Sequence, residues 1–302
     1  MPIVIPEELP AFKILERENV FIMSNHRAET QDIRPIEIAI LNLMPTKIET
    51  ETQLIRLLAN SPLQVNITLI QTATYQPKNT SAEHMEKFYR TFDEIKTRKF
   101  DGLIVTGAPV ETLDFEEVYY WKELTEIFDY AKTMVTSTIY ICWGAQAALY
   151  HFYNIKKEIL PKKLFGIFKN TATNSHDPLL KGLDDSFYVP HSRYTTINYQ
   201  ELKQNPNISI LARGTRCGIS IAKTNDNSMF FLFGHTEYDR ETLKSEYLRD
   251  IDKGLDTSIP SNYFINGDQN KINMKWNSTG NLIFYNWLNY YVYQVTPYTL
   301  GV

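Results

Sequence analysis

Two cysteines in 302 residues, Cys142 and Cys217, are too few for a disulfide framework or a cysteine-rich metal site. That scarcity fits a reducing cytoplasm, and it means that a cysteine with special chemistry here is a reactive one. Charge of one sign is also lacking. The chain sets 31 basic residues against 35 acidic ones, a net charge of -4 with no long block of either sign, so nothing suggests a grip on nucleic acid. No apolar stretch approaches the length of a membrane span. The opening "MPIVIPEELPAFKILEREN" is acidic and broken by Pro2, Pro6 and Pro10, without the basic start and apolar run of a signal peptide. Repeats and low-complexity tracts are missing too. What is present is 43% hydrophobic residues, ample for a sizeable core.

The pattern along the chain alternates. Residues 1–34 read as an N-terminal arm with a short amphipathic piece around "AFKILEREN", expected to pack over the main domain or a partner subunit. From Pro35, strand-like "PIEIAILNLM" leads into "PTKIETETQLIRLLANS", whose Ile48, Leu54, Ile55, Leu57 and Leu58 recur at helical spacing. "LQVNITLIQ", helical "SAEHMEKFYRTFDEIKTR" and apolar "FDGLIVTGAP" continue the theme. Helical "EEVYYWKELTEIFDYAKTM" then precedes strand "STIYIC" and helix "GAQAALYHFY". Strands alternating with helices predict an α/β fold, a mostly parallel sheet flanked by helices. The later part is richer in strands, with helices at about 239–253 and 281–294 and a polar loop at 261–281. Residues 35–302 are expected to form a single catalytic domain.

In such sheets chemistry gathers at the carboxyl ends of the strands, where helix N-termini point amide groups into a crevice. Cys142 sits at one such end, followed by Trp143, Gly144 and a helix, which is the local sequence of a nucleophile elbow. Taken by itself it reads more readily as an ordinary buried thiol. A second strand, "MFFLFGHTEYDR", ends in Gly234 and presents His235 and Glu237, a base and the group that could orient it. His26, His84, His151 and His176 lie in polar loops or on helix faces and read as surface or satisfied histidines, while His191 in "VPHSRY" is less easily dismissed. Cys142, His235 and Glu237 together make the parts list of a cysteine nucleophile, its base and its orienter. Cys217, among strand formers with no helix start after it, reads as structural. The aromatic tail "FYNWLNYYVYQ" reads as a core helix rather than a docking face.

These features resemble the class I glutamine amidotransferase-like fold, although Tyr140 stands where that group's Gly-x-Cys-x-Gly elbow has its first glycine. A longer set of motifs, "MPIVIPEELPA", "ILNLMPTKIETETQ", "VTGAPVE", "CWGAQAALYHFY", "VPHSRYT" and "GHTEYD", resembles the homoserine O-acyltransferase family, which shares this fold. The resemblance implies transfer of an acyl group from a coenzyme A thioester to the hydroxyl of L-homoserine, a step toward methionine. It implies Cys142 as acyl-thioester nucleophile, His235 as proton acceptor and Glu237 as third catalytic residue. Lys163, Ser192 and Arg249 are implied as substrate-binding groups, and Glu111 as the residue that selects acetyl-CoA over succinyl-CoA. The backbone of Trp143 would supply an oxyanion donor. No metal and no bound cofactor are expected, acetyl-CoA being a co-substrate, and the resemblance also implies a homodimer. Competing readings are the succinyl-transferring relative, a glutamine-hydrolysing amidotransferase relative, and an inactive binding module on the same fold.

Overall fold

The structure, a computed structural model, describes residues 3–18, 20, 22–24, 34–75 and 79–296. His26 lies outside them. Among the described residues the chain builds a 12-stranded sheet with the order β2-β1-β4-β3-β6-β7-β12-β11-β10-β8-β9, β5 pairing beside β4. The strands are β1 (Ile3–Val4), β2 (Ile22–Met23), β3 (Ile36–Leu41), β4 (Val65–Ile70), β5 (Tyr89–Arg90), β6 (Phe100–Val105), β7 (Val135–Ile141), β8 (Lys157–Ala172), β9 (Ser186–Ile197), β10 (Ile208–Gly214), β11 (Gly218–Thr224) and β12 (Met229–Leu232). From β2 through β12 neighbouring strands run parallel, and the remaining four are antiparallel. The predicted α/β architecture is therefore present, with an antiparallel extension at one side.

The central strands β6 and β12 are buried at every residue, as strands covered on both faces must be. One face carries α1 (Pro10–Arg17), α2 (Lys47–Ala59) and α9 (Asn277–Asn286), whose apolar sides meet Ile38, Ile104, Ile139 and Phe230. The other is closed by α5 (Trp121–Met134) and α6 (Trp143–Tyr153) over Leu103, Val105, Tyr140 and Phe231. The described part of the arm packs over the domain and also adds β1 and β2 to the sheet edge.

Three segments depart from the sequence expectation. The helix foreseen over 81–98 splits into α3 (Ala82–Phe88) and α4 (Phe92–Ile95) around β5, because Thr91 and Glu94 form a capping box that starts a new helix. A short α7 (Tyr199–Gln204), capped by Asn198, was not foreseen. The polar stretch 261–281 holds a hairpin of β13 (Phe264–Ile265) and β14 (Asp268–Ile272) turned by Asn266 and Gly267, both at positive φ, which is the Asn-Gly hairpin signature. The aromatic tail is core, with Phe284, Trp287, Leu288 and Tyr291 buried.

The strand ends are shaped by what packs beneath them. β8 pairs with β10 only through Thr171 and Ala172, so most of the β8–β9 hairpin projects beyond the sheet. It reaches the end of β12, where the His235 N–H donates to the Pro190 carbonyl at 2.8 Å. From below, α9 supports the same segment: a Cβ at Gly280 would stand 2.4 Å from the Thr236 carbonyl oxygen. Gly280→Ala is therefore expected to lower the unfolding free energy by about 2 kcal/mol, read as an earlier urea midpoint at unchanged slope. A midpoint equal to that of the wild type would show that this helix yields without cost.

Candidate active site

Strands β6, β7 and β12 are adjacent in the sheet, and each delivers one part of the site from its carboxyl end. After β7 comes Cys142, nearly buried at 5% exposure, with φ 50° and ψ −112°. A residue with a Cβ is strained there. Two hydrogen bonds hold it: Cys142 N–H donates to the Leu232 carbonyl at 2.7 Å, and Gln146 N–H to the Cys142 carbonyl at 3.2 Å. The glycine two residues on is needed for clearance rather than for its own dihedrals, since a Cβ on Gly144 would lie 2.6 Å from the Thr106 carbonyl oxygen. Trp143 opens α6, so its N–H belongs to the first turn, which has no intrahelical acceptor.

After β6 comes the loop of Gly107, whose missing side chain would touch Cys142 Cβ at 3.3 Å and His235 Cε1 at 3.6 Å. Thr106 fixes this loop, its Oγ1 accepting the Leu43 N–H at 2.7 Å and donating to the Gly107 carbonyl at 3.0 Å. After β12 comes His235. Its Nδ1 meets Glu237 Oε1 at 2.6 Å, leaving Nε2 as the ring nitrogen available to Cys142. Its ring lies flat on Tyr238, centroids 4.2 Å apart.

Burial alone would depress the His235 pKa, but the Glu237 carboxylate and Cys142 outweigh it and raise the pKa well above the usual histidine value. His191 goes the other way. Fully buried, and facing the cations Arg193 and His235, it is pushed well below the ordinary value and stays neutral. Arg193 is itself 1% exposed, and its guanidinium donates to the carbonyls of Thr195 at 2.5 Å and Cys217 at 2.7 Å. Strand β9 thus alternates. His191, Arg193 and Thr195 face the interior while Ser192 and Tyr194 turn to the opposite side.

The three residues proposed for substrate binding come together against α8 (Thr242–Asp252). Ser192 Oγ donates to Glu246 Oε2 at 2.5 Å, Lys163 Nζ to Asp250 Oδ2 at 2.7 Å, and Arg249 Nη2 to Asp250 Oδ1 at 2.7 Å. Tyr238 OH completes a link back to His235 by donating to Glu246 Oε1 at 2.8 Å. Sequence reasoning missed Tyr238, Glu246, Asp250 and Arg193. The spacing of Glu246 and Asp250, one helical turn apart, was the only available signal for the two acids.

Glu111 follows the Gly107 loop and does not face open water as its neighbours Glu116 and Glu117 do. Burial raises its pKa, opposed by the Tyr194 N–H and by the charges of His235, Arg193 and Lys163. Cys217 is buried and donates to Asn170 Oδ1 at 3.2 Å, a structural role, with burial pushing its pKa up. His84 and His151 are satisfied by Glu51 and Asp129 respectively. Among the described residues no three His, Cys, Asp or Glu side chains gather as metal ligands, and no helix is long and apolar enough to cross a membrane.

A family model described as homoserine O-succinyltransferase matches residues 2–298. The chain is 56% identical over 301 residues to homoserine O-acetyltransferase of Clostridium acetobutylicum, covering 99% of this chain and 100% of that one. It is 54% identical over 299 residues to homoserine O-acetyltransferase of Geobacillus kaustophilus, covering 99% of each. In fold it is similar to a glutamine amidotransferase of Methylobacillus flagellatus, with a TM-score of 0.54, 12% identity, and coverage of 85% of this chain and 95% of that one. A glutamine amidotransferase of Thermotoga maritima gives 0.52 at 9% identity, covering 73% and 84%.

The raised histidine has a thermodynamic consequence. A histidine whose pKa is higher in the folded than in the unfolded state stabilises the fold fully below about pH 6.5, and that contribution is lost as pH rises through the folded value. Replacing Glu237 by Gln removes the main group that raises it. The stability gap between wild type and Glu237→Gln is expected to be widest below about pH 6.5 and to close in alkaline solution. Denaturation series across that range check this, and a pH-independent gap would mean that His235 is uncharged in the fold.

Proposed function

Because the chain belongs to the homoserine O-acyltransferase family, whose model carries the succinyltransferase description, we propose that it transfers an acetyl group from acetyl-CoA to the hydroxyl of L-homoserine. The observation that carries this reading is His235 set between Glu237 and Cys142 at the meeting of three strand ends.

In the first half-reaction Cys142 Sγ attacks the thioester carbonyl while its proton is held on His235 Nε2. The tetrahedral oxyanion is received by the Trp143 N–H and the main chain of the Gly107 loop. Collapse breaks the bond to coenzyme A sulfur, which leaves with the proton from His235, and Cys142 holds the acetyl group. In the second half, His235 takes the homoserine hydroxyl proton as that oxygen attacks the acetyl carbon. Breakdown releases O-acetyl-L-homoserine and the Cys142 sulfur, and the proton stays on His235, which restores the starting pair. Glu237 fixes the imidazole tautomer and stabilises its charged form throughout. The positions of Lys163 and Arg249 suit the homoserine carboxylate, Glu246 suits its ammonium, and Ser192 can hydrogen-bond to either.

Donor choice falls to Glu111. A carboxylate beside the acyl pocket takes up space and repels the far carboxylate of a succinyl group, while acetyl is short and uncharged. Glu111 is within electrostatic reach of His235, Arg193 and Lys163, which supports a position beside the site, although burial outweighs them and raises its pKa. Succinyl transfer is the second reading, favoured by the description of the matched family model. Glutamine hydrolysis has less support, since Tyr140, fully buried and stacked on Phe231 at 5.7 Å, fills the place of the amidotransferase glycine. The same reading has the protein working in the cytoplasm as a homodimer, without a bound cofactor.

Mass spectrometry after mixing with acetyl-CoA alone is expected to show one added acetyl group on Cys142, removed on adding homoserine. Cys142→Ala should abolish both the adduct and turnover. A persistent adduct in that variant, or ammonia release from glutamine by the wild type, would overturn the proposal. Glu111→Gly should shift preference toward succinyl-CoA, and an unchanged donor ratio would remove Glu111 from the specificity argument.

A further inference from the structure

A side chain can discriminate between donors only if the backbone carrying it is held still. The segment from Thr106 to Asp114 has no helix or strand, so its position depends on anchors from elsewhere. Thr106 secures its start, as described above. At its far end Phe115 stacks on Trp121 and Tyr150, with ring centroids 5.3 and 4.8 Å away. Between them one side chain grips the main chain at Glu111 itself. Lys157, the first residue of β8, donates from Nζ to the Glu111 carbonyl at 2.7 Å and also to the Leu113 carbonyl, and its ammonium sits 4.5 Å from the centre of the Phe115 ring.

This use of a lysine is unusual for its surroundings. Glu111, Asp114, Glu116 and Glu117 all act on it electrostatically, yet its ammonium donates to two main-chain carbonyls. The side chain works as a clamp on the turn in which Leu113 N–H bonds back to the Val110 carbonyl. The clamp also ties this loop to the β8–β9 hairpin, which supplies the groups facing the Glu111 carboxylate: the Tyr194 N–H, Arg193 and Lys163. Lys157 therefore joins the main chain at Glu111 to the hairpin that carries Arg193 and Lys163.

We propose that Lys157 is a positioning residue for donor selection, holding the Glu111 backbone so that its carboxylate projects into the acyl pocket. This rests on the reading of Glu111 given above. Lys157 touches no reacting atom, so its loss should act on donor choice while leaving Cys142 competent.

The test compares kcat/KM for acetyl-CoA and succinyl-CoA in Lys157→Met, Lys157→Arg, Glu111→Gly and the Lys157→Met/Glu111→Gly double variant, with homoserine saturating. Lys157→Met is expected to raise the succinyl-to-acetyl ratio about tenfold, the scale of one charge-assisted hydrogen bond. Lys157→Arg, which keeps a charged donor, should restore most of the wild-type ratio. In the Glu111→Gly background the Lys157→Met change should have almost no further effect on the ratio, because the carboxylate it positions is gone. Equal losses with both donors in Lys157→Met would mark a general structural role and overturn the inference. If Glu111→Gly shifts the ratio and Lys157→Met does not, only the clamp is wrong. If Glu111→Gly leaves the ratio unchanged, the donor reading itself fails. Should Lys157→Met not fold, a wild-type ratio in Lys157→Gln, which keeps a neutral donor, would overturn the requirement for a charged clamp, and a raised one would uphold it.

Discussion

The site hangs on the left-handed backbone of Cys142. That conformation turns the chain sharply from β7 into α6 and sets Cys142 at the carboxyl end of β7, beside Gly107. It persists because the alternatives are closed off: the Leu232 carbonyl captures the Cys142 N–H, and α6 lies so near β6 that the Thr106 carbonyl leaves no space for a side chain at position 144. Backbone strain of this kind costs about 1–3 kcal/mol, and the two fully buried strands on either side supply the rigidity that sustains it.

Around that elbow the charges fall into separate compartments. Glu237 and Cys142 hold a proton on His235, while Arg193 helps to keep the neighbouring His191 neutral, so two buried histidines that act on each other have opposite states. A few ångströms outward, Lys163 and Arg249 share Asp250, and Ser192 and Tyr238 share Glu246. On the proposed reading, an amino acid entering here would meet acids and bases already paired with each other and would have to exchange with those partners rather than fill bare charges. Such preorganisation favours a zwitterion of matching length over a simple anion or cation.

Much of this was legible in the chain. Alternating strands and helices announced the parallel sheet because strands covered on both faces must be nearly all apolar, and "FDGLIV" and "MFFL" are. The elbow cysteine and the His-x-Glu after a later strand could be picked out because strand ends are where such residues can meet. What could not be read was pairing between distant segments. Nothing in "SEYLRDIDKG" says that Glu246 and Asp250 meet Ser192 and Lys163, and nothing in "NIKKEIL" says that Lys157 reaches the Glu111 main chain. Arg193 was passed over because an arginine in a strand reads as a surface residue until the fold buries it. The Asn266-Gly267 turn was there to be seen and was lost in the polar composition around it.

Strand β9 presents two different faces. Its odd-numbered residues from Phe187 to Ile197 are all buried, and Ser192 and Tyr194 fall between them. The side-chain period of a strand is two, so an insertion or deletion of one residue within β9 itself would exchange the faces beyond it. A one-residue slip ahead of Ser192 would turn that hydroxyl inward and take Arg193 away from the Cys217 carbonyl. The constraint on residue count thus lies inside β9 and not in residues 173–185, a connection too long to fix the register of the strands it joins.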